Sequence, residues 1–491
     1  MTVAAPAKRT VPRGIVFDHA VTTQSMTDDT PSTDEQTDEP TTEATGSGTR
    51  GTTADWPAAD ESLRPLADRL VERAVPLEGT DPTDDLGDLA PLEDTLADAR
   101  VVGLGEATHG TREFFRLKHR LIRLLVERLE YRLVAMEANF AETLAIDEYV
   151  VHGRGDPREV LDGIRFWTWD TEEVLALLEW LRAFNEGRPV EDRVRFYGID
   201  AQFTGASAEG LREFFAERDP ALLDEHGEGL EVLVEERIDV DWESIDGGGD
   251  DGATGETNER LERAERTVDA MRTWFDDRDL ADDVVALHRQ HVRALAGALA
   301  YKRGAHENDM QAAIDERDRA MAETLAWALA RFSHDRAAVW AHDKHLQRTT
   351  RETRFGTAPS LGSRLADRYG DDYYAVGFDF ADGEFQAIGP SEGGDDRELR
   401  PCSLGPPPED AATRLFATVD DSVWFLDFEA ATADERLADY FDAERPVRSL
   451  GAIYDPDDEH GRLHDSYRLP GAFDALVFVG ETSRARPIAR E

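Results

Sequence analysis

The chain has 491 residues, 104 of them acidic against 55 basic, for a formal net charge of -49. A field of that sign repels phosphate, so the charge argues for no nucleic acid and no anionic membrane as partners. One cysteine, Cys402, excludes an intrachain disulfide, and nothing points to an oxidising compartment.

The acid is spread along the whole chain, and only four lysines occur. That pattern fits a protein that stays soluble in concentrated salt, where the Debye length shrinks to ~3 Å at 1 M. The expected location is cytoplasmic, in a salt-accumulating cell. No apolar run approaches the ~20 residues of a membrane span. The first residues are basic but lack the apolar centre of a secretory leader. Met26 offers a second plausible start.

Residues 26–55 are Thr, Asp, Glu, Ser and Gly with little to bury. Residues 1–55 therefore read as a disordered acidic tail, and residues 56–491 as the folded part. Four short apolar runs follow, each ending in an ionisable side chain. "RVVGLGE" ends at Glu106, "YRLVAMEA" carries Glu137, "RVRFYGIDAQ" ends at Asp200 and "AAVWAHDKH" reaches His342. "YYAVGFDF" repeats the pattern with Asp379. Helical periodicity at 112–129 follows the first run. Strands alternating with helices predict an α/β fold, with a mostly parallel central sheet flanked by helices. Ligands in such sheets bind beyond the carboxyl ends of the strands. A long helical insertion is expected at about 205–335, folding over the sheet edge. "IDGGGDDGATGETNE", residues 245–259, reads as a mobile loop within it, and residues 389–410 also read as loop. "SVWFLDFE" and "ALVFVGE" supply the last strands.

Glu106 and His109 stand three residues apart where a strand becomes a helix. One reading is capping, with Thr108 or Thr111 closing the helix and Glu106 on its first amides. The other is an acid–base pair, a carboxylate raising the basicity of an imidazole. Glycines 103, 105 and 110 would leave backbone open to a substrate. Glu137, a carboxylate in an apolar strand, needs a partner, for which Arg112 and Arg132 are candidates. His342 and His345 could hold a metal, hold an oxyanion or cap the strand. Lys118 is either surface charge or a cation facing the strand ends. Arg317 and Asp318 interrupt an apolar helix, as a surface ion pair or with Arg317 at the substrate. "GPSEG" at 389–393 matches a nucleophile elbow in letters only, since no apolar helix follows.

The segments "GEATHGTREFFRLKHRLIRLLVERLEYRLVAMEANF", "WTWDTEEVLALLEWLRAFN", "VRFYGIDAQ", "ERDRAMAETLAWAL" and "VWAHDKH", in that order, closely resemble the erythromycin esterase family over roughly residues 60–490. The resemblance implies hydrolysis of an ester or lactone by histidine-activated water, without a covalent serine and without a cofactor. It makes His109 the general base and Glu106 its orienting acid. Glu137, His342 and His345 would line the same cleft, and Lys118 would match a basic family position. Lys118, Arg112, Asp200 and Arg317 are the expected substrate contacts. Relatives often carry Asn where this chain has Asp343, which would add negative charge beside the histidines. Two rivals remain at this point. Glu106, His109, Glu137 and His342 could form a mixed metal site, or the cleft could bind a ligand without turnover.

Overall fold

The computed structural model describes residues 61–489, apart from 239–250, 281–282, 333–334, 354, 392–396, 420–421 and 457–462. The expected tail at 1–55 lies outside the described residues.

The strands, in chain order, are β1 (Val75–Pro76), β2 (Val101–Leu104), β3 (Leu133–Asn139), β4 (Arg195–Asp200), β5 (Ala337–Trp340), β6 (Thr350–Thr353), β7 (Gly356–Pro359), β8 (Tyr373–Pro390), β9 (Arg397–Ser403), β10 (Val423–Asp427), β11 (Arg445–Arg448), β12 (His464–Tyr467) and β13 (Ala475–Thr482). The main sheet runs β1-β10-β13-β8-β2-β5-β3-β4, with β9 paired to β8. Pairing is parallel from β13 through β4 and antiparallel at β1–β10–β13. Thus the expected mostly parallel sheet is present.

The strands are apolar on both faces because both faces are covered. Val102, Leu104, Val134, Met136, Ala338 and Trp340 enter one core. Their alternates Val101, Leu133, Ala135, Ala337 and Val339 enter the other. The helix Arg112–Arg128 covers the first face, burying Phe114, Phe115, Leu117, Leu121, Leu124 and Leu125 at helical spacing.

Among the described residues, five α-helices lie between β4 and β5: Gly205–Arg218, Pro220–Val234, Asp251–Asp276, Asp283–His306 and Met310–Arg331. Their apolar residues build a core of their own around Leu211, Phe215, Leu233, Leu261, Met271 and Leu295. Met310–Arg331 also packs on β4, which brings its charged residues to the strand ends.

Two loop expectations are corrected. Residues from Asp251 onward are helical, so Gly252 and Gly255 do not break the chain; residues 245–250 lie outside the described part. Residues 397–403 are strand β9, paired antiparallel to β8. Pro401 is tolerated there because β9 lies at an edge.

β3 and β4 fall out of register between Met136 and Asn139. Met136 pairs with Gly198, and Asn139 with Asp200, so Glu137 and Ala138 oppose one residue. Such bulges re-aim a side chain. Gly198 makes room for this one: a Cβ there would lie 2.3 Å from Ala138 O and 2.7 Å from Asn139 O.

Candidate active site

The ends of β2, β5, β3 and β4 are neighbours, so their ionisable residues meet at one edge. They form two linked groups.

The first surrounds Glu106, which is fully buried. Its Oε1 lies 2.6 Å from His109 Nδ1. Its Oε2 accepts from Lys118 Nζ at 2.5 Å and from Trp340 Nε1 at 3.0 Å. Burial pushes the carboxyl up, but Lys118 and His109 outweigh it and hold the group below its ordinary range. Capping therefore does not describe this turn. Thr111 is the N-cap and makes no side-chain cap bond. Lys118 itself is 0% exposed. Its ammonium also lies 4.6 Å from the centre of the Trp340 ring. Burial lowers its pKa, and Glu106 opposes that fall. Lys118 thus holds Glu106 and presents no exposed surface.

The glycines of this turn serve the protein's own packing. A Cβ on Gly105 would lie 1.9 Å from Asp343 Oδ1, and one on Gly110 would lie 1.9 Å from Gln386 O. The expectation of backbone opened to a substrate is corrected on that ground.

The second group surrounds Glu137, aimed by the bulge. Its Oε1 accepts from Arg317 at 2.9 Å and lies 3.2 Å from His345 Nε2. Its Oε2 accepts the His342 backbone N–H at 2.8 Å. Burial would raise this carboxyl, yet His345, His109 and Arg317 hold it well below the usual range. Arg317 makes two further bonds to Asp200, at 3.0 and 2.8 Å. The suggested partners Arg112 and Arg132 are not used. Arg132 precedes the strand, five residues and so ~16 Å from Glu137. Arg112 lies instead beside Glu173, at 3.3 Å.

His345 Nδ1 lies 2.7 Å from Asp318 Oδ1, and Asp318 Oδ2 accepts from Leu361 N at 2.9 Å. Burial disfavours the charged ring, but Asp318 and Glu137 prevail and raise its pKa to about 9. His342 differs. Its Nε2 lies 2.8 Å from Leu450 O, and its Nδ1 accepts from Lys344 N at 3.1 Å. Burial first, then the charges of His109 and Lys344, hold its pKa well below 6.5. The ring of His342 lies 4.9 Å from that of His109 and so joins the two groups. Trp169 packs edge-on against His109 at 5.8 Å and donates its indole N–H to Glu137 O at 3.0 Å.

Asp343 was expected to add negative charge beside the histidines. It is buried and accepts from Phe378 N at 3.2 Å. Burial pushes its carboxyl well up, favouring the neutral form. A neutral carboxyl is close in shape to Asn.

A cleft of about 750 Å³ opens beside the second group, with Arg317, Asp318, Lys344 and His345 in its wall. His109 is not among the lining residues; it is 7% exposed. The Glu137–His345 contact links the cleft to the inner pair. Among the described residues, no three His, Cys, Asp or Glu side chains converge as metal ligands. The carboxylate oxygens here are already engaged by protein donors.

Three residues packed into this cluster were not expected there from the sequence: Asp318, Trp169 and Trp340. Asp318 left a signal, being a second charge in an apolar helix, but a surface pair explained it equally well. The indoles left none beyond their place in "WTWD" and "AVW".

An Escherichia coli type II erythromycin esterase is 26% identical over 340 residues, covering 65% of this chain and 78% of that protein. The Bacillus subtilis protein YbfO is 23% identical over 387 residues, covering 74% and 81%. Among solved structures, a Bacillus cereus protein superposes with a TM-score of 0.73 at 24% identity, covering 87% of this chain and 99% of that one. A mutant of the erythromycin esterase EreC, in its open conformation, gives 0.61 at 18%, covering 85% and 99%. The α/β sheet and these relatives define a hydrolase. More narrowly, the chain belongs to the erythromycin esterase family, whose model matches residues 126–482. Glu137, Asp200, Arg317, His342 and His345 lie within the matched stretch; Glu106, His109, Arg112 and Lys118 precede it.

Proposed function

We propose that the protein hydrolyses an ester or lactone with water activated by His109, without a covalent serine. One observation carries this reading: the three histidines differ in which proton each ring can hold. His345 sets both nitrogens against carboxylates, which only accept, so the ring is a cation up to about pH 9. His342 gives its Nε2 proton to a carbonyl and receives an amide at Nδ1, so both nitrogens are committed. When His109 is neutral, with its Nδ1–H directed at Glu106, the lone pair is on Nε2.

In the proposed reaction Nε2 takes a proton from water as its oxygen bonds to the carbonyl carbon. Glu106 stabilises the imidazolium. The tetrahedral oxyanion collapses, the C–O bond to the alcohol breaks, and His109 returns its proton to the leaving alkoxide. The remaining acid product then ionises. Arg317, a cation on the cleft wall, is the proposed oxyanion donor, and His345, whose two N–H groups face Asp318 and Glu137, adds only the field of its charge to the same wall. Asp200, fully buried on Arg317, sets the guanidinium's direction. Lys118 and Glu106 act through His109. A positioned base contributes ~10²–10⁴-fold, and one oxyanion donor about 2.7–4 kcal/mol in a well-studied case.

The reading is tested by offering full-length protein a panel of esters and lactones in high salt. Release of acid from at least one supports it. Binding without product at any pH would favour a ligand-binding role instead.

A further inference from the structure

Arg351 lies in β6, opposite Ala358 of β7. It is 8% exposed and belongs to the wall of the same cleft as His345, Arg317 and Lys344. Its guanidinium has no hydrogen bond and no ion pair among the described residues. The other cleft cations are engaged. Arg317 holds Asp200 and Glu137, Lys344 lies 3.5 Å from Asp465, and Arg397 lies 2.8 Å from Asp455. Tyr467 lies close enough to feel the Arg351 charge, but its hydroxyl is directed at Asp465, at 3.2 Å.

The side chain is largely buried, but its guanidinium nitrogens are not among the orphaned buried atoms, so the charged head keeps solvent access. In this chain, where acids outnumber bases 104 to 55, a carboxylate partner would be easy to supply. Glu352 and Glu444 line the same cleft, yet neither forms an ion pair with Arg351 among the described residues. Met310 and Phe355 line the cleft as well, so the charge stands at one part of a partly apolar chamber. A volume of about 750 Å³ suits a small molecule.

We propose that the cleft takes an ester carrying an oxyanion group, a carboxylate or a phosphate, remote from the scissile bond and seated on Arg351. The planar fork of arginine matches either group with two parallel hydrogen bonds. This rests on the hydrolytic reading above for its chemistry, though not for the binding site. The occupied guanidinium fixes one end of the substrate, and the apolar wall covers the chain between that end and the ester.

The experiment compares matched esters ending in a methyl, a carboxylate or a phosphate, at one fixed salt concentration. Full-length parent, Arg351→Gln and Arg351→Lys are assayed together. The parent should prefer one anionic ester by at least about tenfold in kcat/KM, through KM. Which anion wins identifies the group. Arg351→Gln should lose the preference, and Arg351→Lys should keep part of it. Glutarate and inorganic phosphate are also titrated against the parent by thermal shift, which needs no turnover. Saturable stabilisation that disappears in Arg351→Gln supports the anion site even where no ester is cleaved; the hydrolytic reading alone then fails. Ester cleavage indifferent to charge, with neither anion stabilising the parent, overturns the anion site. So does a preference that survives unchanged in Arg351→Gln.

Discussion

Lys118 sets its ammonium 2.5 Å from Glu106 Oε2, and neither side chain has solvent access. The lysine is thus the counter-ion of the acid that orients His109. Such a pair contributes little net stability when intact, because both charges are desolvated. Breaking it from one side is different, since it strands the other charge.

Lys118→Met should therefore destabilise the fold by about 3–5 kcal/mol. Adding Glu106→Gln should recover part of that loss, because a neutral amide needs no cation. Urea denaturation of the two variants and the parent measures both effects. A double variant no more stable than Lys118→Met would show that Glu106 is not the charge left stranded.

His345 makes stability depend on pH in the alkaline direction. Its pKa is about 9 in the fold against an ordinary 6.5, so the folded state holds this proton more tightly. Its contribution is present in full below about pH 6.5 and is lost as pH rises through about 9. The stability gap between parent and His345→Gln should shrink across that window, as read by denaturation at a series of pH values. A constant gap would mean that the ring does not carry the charge assigned to it.

The net charge of -49 predicts a third outcome. Self-repulsion weakens as the screening length falls to ~3 Å at 1 M salt. The melting temperature should therefore rise steeply from dilute buffer to molar salt. Full stability in dilute buffer would remove the salt-rich cytosol as the proposed setting.

Much of this arrangement could be read from the chain because short strands buried on both faces leave a visible trace. The runs ending near Glu106, Glu137, Asp200 and His342 are apolar until the sheet ends, where a charge becomes affordable. Their convergence followed once β2, β5, β3 and β4 proved to be neighbours. The partners of those charges could not be read. Arg317 meets Glu137 across 180 positions of sequence, and no local spacing encodes such a contact. The bulge at Glu137 was equally hidden, since it depends on the register of a second strand. The glycines misled for a related reason: a missing Cβ signals a close approach, but not which atom approaches. At 105 and 110 the approaching groups belong to the protein.

The central claim is that His109 is the base. It is tested most directly by kcat of His109→Ala on the best ester found for the parent. The account predicts a fall of ~10²–10⁴-fold with native circular dichroism, because Glu106 keeps its bond to Lys118. Parent-like kcat in a folded His109→Ala would contradict it.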